Sequence, residues 1–428
     1  MPVQRPYRVR RSCLAVPASS ERFITKARGL PADEVFLDLE DAVAPGAKPQ
    51  ARANAAAAVA GDWGGRTLAV RVNDASTQWA HRDVIDVVSA VTGGGTGRVD
   101  VIVLPKVTSP GHVVWLDLLL GQAEQEAGLP AGQTGIEAQI EDASGLAAVN
   151  AIAAASPRLE ALVFGPADFM ASVGIRSLDV GGQPEGYAGG DVYHYALMRI
   201  LIAARAHGLQ AIDGPYLKVR DTGGFRRSAA SSAALGYDGK WVLHPDQIDA
   251  ANEVFAPSQA DFERASRIID AYAHATTVDQ RGAVMLGDEM IDEASRKMAQ
   301  AIVARGRAAG LPALKRLTCA APLLTVSQAR HRASSRVVDL EQEAQGSVES
   351  CGQVSFHCVP AARRPRGGGP AARMSGRADT FIEISPVRIW SVRPNCHCNY
   401  QTERIAPRGY KRKNRTIVTV LVPELPSR

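Results

Sequence analysis

The chain reads as an α/β protein of the (β/α)8, or TIM-barrel, type, with a C-terminal helical lid segment and a basic tail. Three observations predict this class. Eight short β-rich runs recur over about 230 residues, and Ala-rich segments with helical spacing lie between them, the alternation that builds a parallel sheet. Eight such units are the number that closes a barrel. No G-x-G-x-x-G follows the first run, which weakens the dinucleotide-binding version of the alternative, an open doubly wound sheet.

The elements follow in order. Ser12–Val16 is the first β run. The other β runs are Glu34–Leu39, Thr67–Asn73, Val99–Leu104, Gly135–Ile140, Leu159–Phe164, Leu209–Ile212 and Gly239–Leu243. They are β-rich and mainly apolar, with continuous runs such as VIVLP and ALVFG, as strands buried on both faces favour. Helical stretches fall at Gln50–Ala60, Ala80–Val91, Val113–Ala127, Gly145–Ala155 and Tyr193–Ala206. The second of these sets Val84, Val87, Val88 and Val91 on one face. Pro257–Ala275 is a helix that closes the barrel, a loop holds Gly282 and Gly287, and Asp292–Ala309 is the last helix before the stop signal Gly310-Leu311-Pro312. The expected organisation is a barrel over residues 10–256, a helical lid or oligomerisation segment over 257–311, and a poorly ordered tail over 312–428.

Charge divides the chain at the same place. Residues 1–311 hold 30 Lys+Arg against 36 Asp+Glu, whereas residues 312–428 hold 19 against 8. Cys13 lies in the first part, and Cys319, Cys351, Cys358, Cys396 and Cys398 lie in the second. One cysteine in the body excludes a disulfide framework there and suits a reducing cytoplasm. No apolar run approaches the roughly 18–20 residues of a membrane span, and the short apolar stretch near the start is broken by Pro17, so neither a span nor a signal peptide is expected. In the tail, Cys396-His397-Cys398 with Cys358 or His357 is a metal-site alternative and YKRKNR a nucleic-acid alternative. The first lacks the C-x-x-C pairing of zinc modules, and the second lacks aromatic interleaving, so nucleic acid is not the expected partner.

Polar residues gather at the C-terminal ends of the β runs, where a barrel builds its active site. They are Asp38, Glu40 and Asp41 after the second run, Arg71 and Asn73 in the third, and Lys106 after the fourth. Glu141 and Asp142 follow the fifth, Asp168 the sixth, Asp213 the seventh and His244 the eighth. Carboxylates converging on one mouth repel each other unless a cation neutralises them. The donors offered are oxygens, which favours Mg²⁺ or Mn²⁺ over Zn²⁺. Glu141 and Asp168, on consecutive units, can each give one oxygen to a single octahedral ion and leave positions for water and substrate. Arg71 is suited to bidentate capture of a substrate carboxylate; the structural alternative pairs it with Glu40 or Glu141. Lys106 pairs with the acid cluster. His194, His207 and His244 read as core, surface or strand-end residues, and the five tryptophans suggest no stacking platform.

RSCLAVPASSERFITKA, FLDLEDAVAPGAKPQAR, AVRVND, VIVLPKV, AQIEDASGL, VFGPADFMAS, AIDGPY and GKWVLHPDQI together resemble the citrate lyase beta-subunit/HpcH aldolase superfamily, most closely its malyl-CoA-cleaving branch, over about residues 10–310. The resemblance implies a (β/α)8 barrel, Mg²⁺ dependence, CoA-thioester substrates, glyoxylate as the keto-acid product, and a trimer or dimer of trimers. It implies Glu141 and Asp168 as metal ligands, with Glu141 also at the substrate, and Arg71 as the substrate-carboxylate arginine. Asp292 falls on an aspartate that a neighbouring subunit's lid contributes to the site; a carboxylate desolvated on a lid is expected to serve as the acid/base, and the local alternative is a helix N-terminal acid. Arg22, Lys26 and Lys48 are the candidates for the CoA phosphates, with solvated surface charge as the alternative. The sequence departs from the pattern at Ala18, where relatives commonly have glycine, and at Asp142, where they have threonine, which adds a carboxylate beside the metal. Sister activities on citramalyl-CoA or citryl groups, and a non-enzymatic scaffold for the basic tail, are the competing functions.

Overall fold

Eight parallel strands close on themselves in chain order, each followed by at least one helix. A computed structural model describes residues 7–91 and 96–312; the metal and nucleic-acid alternatives for the tail fall outside the described residues. The order is β1 (Ser12–Pro17), α1 (Glu21–Ala27), β2 (Glu34–Asp38), α2 (Lys48–Val59), β3 (Thr67–Arg71), α3 (Ala80–Ser89), β4 (Val101–Leu104) and α4 (Pro110–Glu126). There follow β5 (Gly135–Ile140), α5 (Ala143–Ala147), α6 (Val149–Ala153), β6 (Leu159–Phe164), α7 (Pro166–Val173), α8 (His194–Ala206), β7 (Gln210–Asp213), α9 (Thr222–Leu235) and β8 (Gly239–Val242). Strand β1 pairs in parallel with both β2 and β8, which closes the barrel and excludes the open sheet. Closure needs a glycine at 239, because a Cβ there would sit 1.7 Å from the Arg10 carbonyl oxygen.

The closed sheet sorts its inward side chains into layers. At the base, the fully buried Arg10 donates through Nε to Glu34 (2.9 Å) and Glu137 (2.6 Å), through Nη2 to Glu160 (2.7 Å), and through Nη1 to Gln210. Above it, Cys13, Phe36, Ala69, Val101, Val103, Ala161, Val163, Ile212 and Trp241 form an apolar plug. A larger apolar layer joins the outward strand faces to the helices. The polar residues after each strand are left at the top, because apolar packing seals everything below them.

Beyond β8 come α10 (Ile248–Val254) and α11 (Gln259–Thr277), then a two-stranded antiparallel hairpin of β9 (Val284–Leu286) and β10 (Glu289–Ile291), and finally α12 (Glu293–Ala308). Sequence reading placed a plain loop where the hairpin lies. Helices α11 and α12 share a small separate core of Phe262, Ala265, Ala299 and Val303. Gly306 lets the Phe262 ring come close: a Cβ there would meet it at 2.2 Å. Arg305 of α12 reaches Asp238 at 2.8 Å, just before β8, and ties this segment to the barrel. Among the described residues no helix is long and apolar enough to cross a membrane.

Candidate active site

The mouth of the barrel holds a cavity of about 420 Å³ lined by Asp38, Asp41, Arg71, Gln139, Glu141, Asp168 and, on its apolar side, Phe36 and Trp241. Arg71 ends β3 and is buried; it donates side-on to Asp38, Nε and Nη2 both at 2.7 Å. Its Nη1 lies 3.0 Å from Glu40, and its guanidinium stacks 5.2 Å from the Trp241 ring centre. Trp241 packs in turn on Phe36, ring centres 4.3 Å apart. The arginine thus rests on an aromatic floor, with its end-on N–H groups only partly used. Burial works against the Asp38 carboxylate, but the Arg71 charge and hydrogen bonds outweigh it and hold the acid below its ordinary range. The structural alternative for Arg71 is half realised: it pairs with Glu40, not with Glu141, and its main partner is Asp38.

Glu141 follows β5 and is 2% exposed. The Lys106 backbone N–H donates to its Oε1 at 2.7 Å, and the Gln139 amide donates to its Oε2. Gly165 clears the space beside it, since a Cβ at 165 would fall 2.3 Å from Oε2. Burial raises the Glu141 acid, Lys106 opposes the rise and the neighbouring Asp168 charge adds to it, leaving it at about 8. Asp168 lies in the first turn of α7, a helix announced by Gly165-Pro166 but hidden in the sequence by the apolar strand before it. Lys106 closes the group, its Nζ lying 2.6 Å from Glu40, 3.5 Å from Asp168 and 3.7 Å from Asp41.

Among the described residues no group of three or more His, Cys, Asp or Glu is arranged around one point to hold an ion. At the mouth the described residues offer a carboxylate pair, Glu141 and Asp168. Excess negative charge, oxygen-only donors and the glycine-cleared space fit a hard divalent cation that keeps water and substrate as its remaining ligands.

Several expectations are corrected by placement. Lys48 is buried, its ammonium donating to the carbonyls of Leu39 (3.0 Å) and Glu40 (3.1 Å) and to the Asn73 side chain; it braces the β2 and β3 ends and has no free donor face for a phosphate. Asp142 turns away from the mouth, accepting from Ser144 N (2.7 Å) and Ser172 Oγ (2.8 Å) at the start of α5, so it adds no carboxylate beside a metal. Asp213 binds Lys240 at 2.5 Å, and His244 accepts from Asp246 N at 3.3 Å; the charged rim is built by β2 to β6, with acids from β2, β5 and β6 and the cations Arg71 and Lys106 from β3 and β4. Asp292 caps α12, accepting from Ser295 N at 2.9 Å. That bond holds its carboxyl below the ordinary range rather than raising it, and Asp292 does not line the cavity of its own chain. Arg22 and Lys26 are exposed on α1. Sequence reading missed the Trp241–Phe36 floor; the alternation Lys240, Trp241, Val242 on β8 was the available signal.

A family model described as HpcH/HpaI aldolase/citrate lyase matches residues 11–245. The chain belongs to this family. An L-malyl-CoA/beta-methylmalyl-CoA lyase of Rhodobacter capsulatus is 40% identical over 307 residues, covering 70% of this chain and 95% of the relative. A (3S)-malyl-CoA thioesterase of Cereibacter sphaeroides is 36% identical over 65% of this chain and 88% of its own length. Among solved structures, the CitE protein of Mycobacterium tuberculosis in complex with magnesium, acetoacetate and coenzyme A is 27% identical, with a TM-score of 0.53 over 69% of this chain and 97% of that one. Family membership and the closed barrel of the described residues agree, and residues 11–245 contain Arg71, Glu141, Asp168 and the rest of the mouth.

Proposed function

We propose that this protein is a Mg²⁺-dependent CoA-ester lyase that reversibly cleaves malyl-CoA or β-methylmalyl-CoA to glyoxylate and acetyl-CoA or propionyl-CoA. The observation that carries this reading is the pairing of a clamped arginine with two carboxylates across one apolar-floored mouth, in a chain 40% identical to a lyase of that name. Arg71 holds the glyoxylate carboxylate with the N–H groups that Asp38 leaves free. Glu141 and Asp168 hold the ion; when bound, Mg²⁺ supplies Lewis-acid stabilisation of the oxygen on which charge develops. Phe36 and Trp241 keep water from the reacting carbon.

In the cleavage direction the hydroxyl proton passes to solvent water, the C–C electron pair passes to the acyl-CoA α-carbon, and the aldehyde of glyoxylate forms. The α-carbon then takes a proton, and Asp292 is the acid/base. Asp292 does not line its own cavity, and on this reading, as the family resemblance implies, the lid of a second copy supplies it in a trimer or dimer of trimers. Desolvation against that copy raises its pKa from the depressed value of the single chain. Asp292→Asn with Mg²⁺ binding intact then abolishes turnover. Arg22 and Lys26 remain the candidates for the CoA phosphates, Mn²⁺ substitutes for Mg²⁺ on the same oxygens, and the reaction takes place in the cytoplasm.

Purified protein with Mg²⁺ and malyl-CoA, β-methylmalyl-CoA or citramalyl-CoA tests the reading by the keto acid released. Glyoxylate supports it, pyruvate moves it to the citramalyl-CoA activity, and no metal-dependent cleavage ends it. The thioesterase relative supplies a second reading, in which free CoA is released from malyl-CoA without glyoxylate.

A further inference from the structure

Lys106 stands between the two acid groups of the mouth, and its backbone is bent to put it there. Its φ of 52° lies in the left-handed region, which side chains longer than Asn or Asp rarely adopt, and such outliers collect where a site needs them. In this conformation the two ends of the residue serve different groups. The backbone N–H holds Glu141 Oε1 at 2.7 Å, while the ammonium reaches Glu40 Oε1 at 2.6 Å and Asp168 Oδ1 at 3.5 Å. Among the described residues Lys106 is the one basic side chain in an ion pair with Asp168.

We propose that Lys106 is the resident counter-ion of the metal pair and a positioning residue for Arg71. The proposal rests on Glu141 and Asp168 being that pair. Asp41, Glu141 and Asp168 line one mouth, the buried Glu40 lies behind it against Lys106 and Arg71, and Arg71 is already committed to Asp38. The ammonium therefore neutralises Asp168 in the metal-free protein and competes with a divalent cation for it. Its shorter bond to Glu40 gives it a place to withdraw to when the ion arrives. Once the ion holds Asp168, the ammonium's charge bears on Glu40 and Asp41 alone, which weakens the hold of Glu40 on Arg71 Nη1, 3.0 Å from it, and frees that N–H for the substrate carboxylate. Metal loading thereby prepares the arginine, so the keto acid binds after the ion.

The test is titration of the metal-stripped full-length protein with Mg²⁺ alone by calorimetry, at one pH. Lys106→Met keeps the length of the side chain without its charge. Lys106→Gly removes the charge and the backbone strain while keeping the N–H to Glu141, so a folding defect in the first variant does not obscure the result. Both are expected to bind Mg²⁺ roughly tenfold more tightly than the parent, the size of one unit charge facing a divalent ion a few ångströms away in a wet mouth. Lys106→Arg, which keeps the charge, should bind as the parent does. Unchanged or weaker binding in both neutral variants overturns the proposal. A Glu141→Gln control separates the two failures. If it binds Mg²⁺ as the parent does, the ion is not held at this pair and the site reading falls with the proposal. If it loses the ion while the neutral Lys106 variants match the parent, only the counter-ion role falls.

Discussion

Arg71 owes its orientation to Asp38. The side-on pairing, two bonds of 2.7 Å, fixes the guanidinium plane over Trp241 and turns the remaining N–H groups to the cavity. Asp38→Asn keeps the volume but loses the charge and one acceptor, and Arg71 then swings toward Glu40. The expected outcome is a rise in KM for glyoxylate and a loss of roughly 10- to 100-fold in kcat/KM, the usual cost of removing an orienting partner, with the Mg²⁺ affinity of the metal-stripped protein nearly unchanged. Steady-state kinetics in the condensation direction, beside a Mg²⁺ titration, checks both. The strand-end pattern was enough to gather Arg71, Glu141 and Asp168 at one mouth, because period-2 alternation and parallel strands determine where each Cα lies. It did not reveal which acceptor each long side chain finds. Lys48 illustrates the gap: it reaches back to the open carbonyls of Leu39 and Glu40, which no spacing in the sequence announces.

At the level of elements, the barrel strands were legible nearly to the residue. A strand buried on both faces is written mainly in β-formers and apolar residues, and turn residues bracket each run here. What escaped was short or masked. Strands β9 and β10 are three residues each, too brief to display alternation. Helix α9 begins TGGF and is rich in Ser, so its composition imitates a loop, although Asp221 caps its start and Gly236, at φ 114°, ends it. The α11–α12 pair makes a prediction of its own. Gly306→Ala gains about 1 kcal/mol of helix propensity but drives a methyl into the buried Phe262 ring. Overpacking of this kind costs about 1–3 kcal/mol, so the net effect should be a lower melting temperature. Thermal denaturation of the variant, with the free protein at fixed concentration, reads it directly.

At the largest scale, the barrel of the described residues is polar at both ends and apolar between. Its base carries three carboxylates on one arginine, and Glu34 Oε1, Glu137 Oε2 and Glu160 Oε1 are buried there without hydrogen-bond partners. Burial, with the nearby Glu137 charge, raises the Glu34 acid well above its ordinary value, and Arg10 only partly offsets the rise. The folded protein therefore keeps a proton on Glu34 that the unfolded chain gives up above about pH 4.3. Between that pH and the raised value the native state binds more protons than the unfolded state, so this group's contribution to stability falls as pH rises. Urea unfolding midpoints should drop from pH 6 to pH 9, and Glu34→Gln should flatten that slope; an unchanged slope would sink the assignment.

Directly above that base, the Cys13 thiol is fully enclosed in the plug and donates to the Arg10 carbonyl, and burial pushes its ionisation up. A thiol placed there cannot meet an alkylating reagent until β1 parts from a neighbouring strand. Modification of the peptide containing Cys13, followed by mass spectrometry, is thus a clock for barrel opening. It should run slowly and at a rate independent of reagent concentration once alkylation outpaces reclosure. If Mg²⁺ binds at the proposed Glu141–Asp168 pair of the closed barrel, it should slow the reaction in proportion to its occupancy.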